Sequence, residues 1–364
     1  MTVRSPSRVT PALLLSGAFL LLGSGPSLAQ TPAKSCHPDG KPVEPQVIFN
    51  SSGGTYGENM ERIFFKRFKE ECGVQVTQVT DARTYAQLKQ FVQSGNVPWD
   101  IGGTRTDQEF PLGIKDGLFH RLPDSFWNSI KGELSPGSFG PYGAWATPYS
   151  DVLVYSTTAF PKGMTSWADF WDVKKFPGPR TMQNNPANLV MALIADGVPP
   201  DKVYPLDLDR AFKKMDEIRP HIRGFWTSGD QPVQGVANGE FVAGTAWNGR
   251  VSAAVKAGKP VAASWNGALL RVSWNFILKG AKNPRAAEAL LYFMQRPELQ
   301  AELAKASGYA GGATGVVKLV DASLASSLAT SPEHIAVASV VDAQWWADNN
   351  AAVQARWNAW VAKQ

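Results

Sequence analysis

The stretch Gln46–Gly73, QVIFNSSGGTYGENMERIFFKRFKEECG, decides the fold. Val47-Ile48-Phe49 is a short continuous apolar run, the pattern of a buried strand, and it ends at Ser51-Ser52-Gly53-Gly54. Met60, Ile63, Phe64 and Phe68 then recur at helical spacing on one face. Thr55 and Glu58 supply a capping box at the start of this helix, and Gly73 marks its end. Working outward, Val74, Val76 and Val79 form a second strand. A second helix carries Tyr85, Leu88, Phe91 and Val92 and stops at Gly95, and Trp99-Asp100-Ile101 forms a third strand. This βαβαβ order predicts a parallel, doubly wound sheet.

A second series follows a long β segment from Ala144 to Tyr155. Ser166 and Asp169 cap one helix, Arg180 to Gln183 is strand-like, and Asn185-Pro186 starts a helix through Ala195. A helix at Asp207 to Ile218, a strand at Ile222 to Trp226 and a helix at Asp230 to Asn238 come next. They are followed by a strand at Val242 to Trp247, a helix from Gly249 to Ala257 and a β segment at Leu269 to Leu278. From Asn283-Pro284 the chain reads as mostly helical. Once a leader is removed, about 335 residues exceed what one core holds, so two lobes are expected. The fold class is α/β, two-lobed. Lobe 1 is placed at 46–148 and completed by about 270–315, lobe 2 at 149–269, and C-terminal helices at 316–364 pack on the lobes.

Residues 1–29 have the form of a secretory signal: basic Arg4 and Arg8, an apolar run from Ala12 to Leu22, and Ser27-Leu28-Ala29 as a small-x-small cleavage site. A spanning helix needs about 20 apolar residues, and Gly17, Gly23, Gly25 and Pro26 leave this run too short. Ala33-Lys34-Ser35 before Cys36 lacks the apolar residues of a lipoprotein site, so a soluble periplasmic protein with an extended leader at 30–45 is expected. The two cysteines, Cys36 and Cys72, then read as a disulfide in an oxidising compartment.

The chain has 36 basic and 31 acidic side chains, a net +5. Loss of Arg4 and Arg8 leaves 34 against 31, or +3, with no basic block; nucleic-acid binding gains no support. The four histidines, His37, His120, His221 and His334, lack the close pairing of a metal site. No nucleophile elbow or phosphate-loop pattern occurs, so neither catalysis nor a cofactor is indicated. The loop SSGGTYG sits at the carboxyl end of the first strand, where backbone N–H groups favour an anion or hydroxyl. A tight turn that needs glycine accounts for it equally well. Of 13 tryptophans, Trp226, Trp247, Trp265 and Trp274 fall at strand ends beside polar groups, as the aromatic wall of a ligand cleft would. Trp345, Trp346, Trp357 and Trp360 read as packing residues.

The runs VIFNSSGGTYGENM, GTAWNGRVSAAVKAG and ILKGAKNPRAAEALLYFMQRPE, with Ser307-Gly308-Tyr309, follow one another in an order spanning nearly the whole chain after the leader. In these runs the sequence resembles the periplasmic solute-binding proteins of ABC transporters, in the branch that includes spermidine/putrescine binders. The resemblance implies a type II fold of two α/β lobes, each a sheet flanked by helices, joined by crossing strands and closing over a small molecule. It implies a monomer that delivers its ligand to a membrane permease. It places the loop Ser52, Gly53, Thr55 and Tyr56, together with Trp247 and Tyr309, against the ligand.

The acids that meet a polyamine's ammonium groups in this branch do not carry over. Asn185, Asn188 and Ser273 stand at three of those positions, with Arg271 replacing a tryptophan two residues before Ser273. Arg250 and Arg271 would set a polycation against like charge. The expected ligand is therefore a carboxylate-bearing one, an amino acid of the γ-aminobutyrate type or another organic anion. Arg250 or Arg271 would grip its carboxylate, Asp151 or Asp230 would meet an amine if the ligand has one, and Trp226 would join Trp247 at the wall. A polyamine binder of the same family, an exported enzyme and a receptor-coupled sensor are the alternatives.

Overall fold

In the computed structural model, residues 36–80 and 83–363 are described; the signal-like segment and residues 30–35 of the leader lie outside them. The strands are β1 Gln46–Ser51, β2 Gln75–Thr80, β3 Ile101–Gly103, β4 Phe139–Gly140, β5 Gly143–Ser156, β6 Arg180–Gln183, β7 Ile222–Trp226, β8 Ala243–Trp247, β9 Val261–Ile277 and β10 Ser339–Val340. They form one sheet in the order β2-β1-β3-β9-β5-β8-β6-β7, with β10 beside β9 and β4 beside β5.

Two groups of three parallel strands hang on the ends of one antiparallel ladder. β1 pairs parallel with β2 and β3, and β3 meets the far end of β9 at Ile101–Ile277. At the opposite end β8 pairs with Asp151 to Tyr155 of β5, and β6 runs parallel between β8 and β7. β5 and β9 pair from Gly143–Phe276 to Ser156–Val261, a length of about 50 Å at strand rise. They are the crossing strands of a two-lobed α/β protein.

Each strand group has its own core. Phe49, Phe64, Phe68 and Leu290 lie in the first, and Phe170, Met182, Leu189 and Met215 in the second. The apolar stripe on residues 54–72 works as its spacing predicts: Met60, Ile63, Phe64 and Phe68 are all buried. One π-helical turn, Glu61–Phe65, interrupts that helix. Helix Ala343–Ala362 buries Trp346, Trp357 and Trp360 in the second core, and it also packs against helix Glu109–Lys115 beyond β3.

Several local expectations are corrected. Thr55 and Glu58 form no capping box: the helix starts at Gly54 behind Gly53, with no side-chain cap. Gly53 and Gly54 both have positive φ, 70° and 56°, so the chain turns so tightly that Thr55 is already inside the first turn. The capping box occurs one helix later, between Thr84 and Gln87. The third strand runs from Ile101 to Gly103, and the Asp100 carboxylate just before it accepts the backbone N–H groups of Ile48 (2.8 Å) and Asn283 (2.9 Å). Asn185 does not cap its helix directly: it accepts from the Ala187 N–H at 2.8 Å, and the helix begins at Asn188.

Cys36 and Cys72 are bonded, which ties the leader to the end of the first helix. Beside the bond, His37 lies between Asp39 and Glu288, and His120 reaches the other Glu288 oxygen at 2.9 Å. A disulfide stabilises by restricting the unfolded chain, here across a sequence separation of 36. Replacing both cysteines with alanine should lower the unfolding free energy by about 3 kcal/mol, read from a urea titration; an unchanged midpoint would remove the bond from the stability account.

Candidate functional site

Residues opposite one another on paired strands share a face, and alternate residues along a strand return to it. The register pairs Thr147 with Ser273, Tyr149 with Arg271, and Asp151 with Trp247. These six side chains therefore stand on one face, at the middle of the crossing strands. Tyr56 hydrogen-bonds Thr147 from the first strand group, so the SSGGTYG segment reaches the same face through its tyrosine. Ser52 and Thr55 are exposed.

An ionic group occupies the centre. Arg271 donates from Nη1 to Asp151 Oδ2 at 3.2 Å and from Nε to Asp107 Oδ2 at 3.0 Å, and its Nη2 also meets Asp107. Its guanidinium lies over the Tyr149 ring, 5.5 Å from the centroid. Two acids against one cation leave a formal charge of −1. Burial pushes the Asp151 carboxyl up to about 6, against the attraction and hydrogen bond of Arg271, and nearby Asp107 adds to the rise. Asp151 Oδ1 is buried and has no hydrogen-bond partner, an arrangement that costs free energy unless something fills it.

Asp107 sits between β3 and helix Glu109–Lys115, on a segment fixed by a second buried pair. Arg83 pairs with one Glu109 oxygen and donates to the Gly103 carbonyl at 2.8 Å. The other Glu109 oxygen accepts the Arg105 N–H. Arg105 also donates to Asn50 Oδ1 at 2.8 Å and to the Ser51 carbonyl at 3.1 Å, which anchors the segment to the end of β1.

Trp247 ends β8 and is the N-cap of helix Asn248–Lys256. Its ring meets Trp226 edge-on at 5.5 Å and Tyr149 at 6.1 Å. Its Nε1, like Asp151 Oδ1, is buried without a partner. Trp226 is 3% exposed and donates to the Thr245 carbonyl at 2.8 Å, so it backs Trp247 from the core. Gly229 makes the room: a Cβ there would meet Trp247 at 2.5 Å.

The rest of the Trp-Asn-Gly-Arg run builds the rim. Asn248 accepts from the Ser150 N–H at 2.9 Å and donates to the Ser327 carbonyl at 3.1 Å. Tyr309 lies on the backbone of Gly249, where a Cβ would come 2.4 Å from its Cζ. Burial pushes the Tyr309 hydroxyl up to about 12; Arg250 pulls it down, while Asp151 and Asp230 push the same way as burial. All three charges therefore surround that phenol. Arg250 is half exposed and forms an ion pair with Asp230 at 3.4 Å.

The sequence-predicted residues divide accordingly. Tyr56, Trp247, Arg250, Arg271, Ser273 and Tyr309 come together, with Trp226 behind them. Arg271 is no free clamp for a carboxylate, because its guanidinium is already committed to two acids. Asn188 is buried and donates to the Gln183 carbonyl at 2.6 Å, and Asn185 braces the same turn. Trp265 stacks on His334 at 3.5 Å and Trp274 on Phe110 at 4.1 Å; both are packing residues. An open depression of about 570 Å³ beside Gly53 and Gly54 is lined by Glu58 and Glu61 as well as Arg62 and Lys66, which is poor ground for an anion at that helix start.

Sequence reasoning missed Asp107, Tyr149 and Thr147. Asp107 follows the carboxyl end of a parallel strand, where open α/β sheets carry their ligand loops, and that position was the available signal. Among the described residues, no group of His, Cys, Asp or Glu side chains is arranged to hold a metal ion, and no helix is long and apolar enough to cross a membrane.

Asp151 gives a pH test of this geometry. A carboxyl raised in the folded state adds stability below its unfolded pKa near 4 and loses it as pH rises through about 6. The stability of the wild type relative to Asp151→Asn should fall by about 2 kcal/mol between pH 4 and pH 6.5, measured by urea unfolding; a flat difference would mean that Asp151 ionises normally.

Comparison with known proteins agrees with this architecture. Residues 64–331 match the family described as bacterial extracellular solute-binding protein. A gamma-aminobutyric acid-binding protein of Pseudomonas aeruginosa is 33% identical over 320 residues, 86% of this chain and 90% of the relative. A spermidine/putrescine-binding periplasmic protein of Salmonella typhimurium is 24% identical over 280 residues, 74% of this chain and 79% of the relative. Among solved structures, an ABC transporter substrate-binding protein from Bradyrhizobium japonicum is 36% identical with a TM-score of 0.78, covering 87% of this chain and 99% of its own. A structure described as a GABA receptor is 34% identical with a TM-score of 0.79, covering 88% and 98%. With its matching residues, its crossing strands and its two parallel strand groups, the chain belongs to the bacterial extracellular solute-binding protein family.

Proposed function

We propose that this chain is the exported, non-catalytic binding component of an ABC importer, and that its ligand is a small amino acid with separated amine and carboxylate, of the γ-aminobutyrate type. It captures that ligand between the lobes, in the periplasm, and passes it to the membrane permease. The lobes meet at mid-ladder, near Pro148 and Leu270, with 46–148 and about 270–315 on one side and 149–269 on the other.

One observation carries the ligand class. Asp151 Oδ1 and Trp247 Nε1, across the strand pair from each other, are a buried acceptor and a buried donor without partners. A zwitterion supplies what each lacks: its ammonium meets Asp151, and its carboxylate meets Trp247 Nε1 and the Arg250 guanidinium, with Tyr149 and Tyr309 as walls. Charge-assisted hydrogen bonds of this kind are about twice as strong as neutral ones. The relatives named for γ-aminobutyrate support the same class. The relative named for polyamines sets the alternative. Against it, Asn185 and Asn188 are engaged in their own turn, and Arg271 already occupies the two central acids.

Titration calorimetry separates these readings. γ-Aminobutyrate should bind, while butyrate and butylamine, each lacking one end, should bind at least tenfold more weakly. Arg250→Met should weaken γ-aminobutyrate at least tenfold with an unchanged circular dichroism spectrum. Tight binding of spermidine by the wild type, with none of γ-aminobutyrate, would overturn the assignment.

Protonation of Asp151 should also be visible in affinity. The carboxyl must be ionised to hold an ammonium, and burial sets its midpoint near 6. Affinity should therefore drop about tenfold from pH 7 to pH 5, a range in which the ligand's own charges barely change. Asp151→Asn should bind weakly at both values.

A further inference from the structure

The position of Arg271 carries a second conclusion, about which cations this site refuses. We propose that Arg271 is the specificity-determining residue that limits the site to ligands with a single cationic group, because its guanidinium holds the place between Asp107 and Asp151 that a second ammonium of an α,ω-diamine would need. This rests on the reading that Asp151 receives the ligand amine.

Acceptor capacity at the centre of the site is limited. Asp107 and Asp151 reach the centre of the site from different elements, the segment after β3 and the crossing strand β5. Arg271 spends Nε and Nη2 on Asp107 and Nη1 on Asp151 Oδ2. One carboxylate oxygen, Asp151 Oδ1, is left buried and unpartnered. One open acceptor suits one ammonium.

Charge leads to the same count. The two acids and Arg271 sum to −1, which one ammonium neutralises. Without Arg271 the sum is −2, the complement of a diamine. Burial makes the count strict: Arg271 is 8% exposed and Asp151 2%, so neither is free to swing into water and solvate an unmatched charge. A guanidinium does not lose its proton at any pH a cell meets. The exclusion therefore does not relax as Asp151 titrates.

A purely structural role for Arg271, tying the Asp107 segment to the crossing strands, would not set selectivity by charge. The test uses 1,4-diaminobutane and γ-aminobutyrate as probes, with calorimetry on the purified full chain. Arg271→Met should raise affinity for the diamine at least tenfold and invert the preference of the wild type. Arg271→Lys, which keeps one cation there, should keep the wild-type preference. Adding Asp107→Asn to Arg271→Met returns the sum to −1 and should abolish the diamine gain. Continued refusal of the diamine by a folded Arg271→Met variant overturns the proposal. If that variant is unfolded alone, the diamine in the refolding buffer should restore a cooperative thermal transition and γ-aminobutyrate should not; equal rescue by both, or by neither, overturns it as well. Failure of the amine reading itself is distinct: Asp151→Asn in the wild-type background would then bind γ-aminobutyrate undiminished.

Discussion

The antiparallel pairing of β5 with β9 is the contact on which both halves of the molecule depend. Among the described strands, each parallel group joins the other through this ladder, so its register decides which side chains face the space between the groups. Side chains alternate with a period of two, and a slip of one residue would exchange the whole set. Thr147, Tyr149, Asp151, Arg271 and Ser273 would be replaced by Pro148, Ser150, Leu270 and Val272. Two irregularities hold the register: a shift between Trp145 and Thr147, and a larger one between Asp151 and Leu153. In the second, Trp265 to Ala268 bulge out of β9, with Gly267 at a φ of 72°.

Electrostatics is organised along the same line. Arg83 pairs with Glu109, whose other oxygen takes the Arg105 backbone N–H, and from Asp107 through Arg271 to Asp151 opposite charges alternate toward the crossing strands. Buried ion pairs return little net stability, but removal of one partner is costly because the other charge stays behind. Such a chain therefore fixes geometry more than it adds stability. It holds the Asp107 segment against the crossing strands, and it explains why an arginine that looks available in the sequence is committed in the structure.

Much of the fold was legible because buried parallel strands and amphipathic helices carry strong local patterns. Val47-Ile48-Phe49 and the Met60, Ile63, Phe64, Phe68 stripe needed no tertiary information, nor did the Ser166 cap, which accepts from the Asp169 N–H as expected. The first half of β9 was not legible, because SWNGA breaks the alternation with a glycine that belongs to a bulge. The site was half legible. Trp247, Arg250 and Tyr309 lie in recognisable runs, whereas Asp107 pairs with Arg271 across 164 positions. Trp274 looks equivalent to Trp247 until the register puts Ser273, one residue away, on the site face. Parity along a strand is invisible without its partner.

The C-terminal helix, seated in the second core by three tryptophans and touching Glu109–Lys115 beyond β3, has a mechanical meaning. Two crossing strands alone make a hinge whose range is set only by strand stiffness. A helix fixed to one half and resting on the other acts as a stop, and it shortens the arc over which the halves can part. A short arc leaves less orientational freedom to surrender when a ligand draws the halves together. It also keeps the competent arrangement a larger fraction of the unliganded population, which raises apparent affinity by that same fraction. By limiting travel, those tryptophans set part of what binding costs.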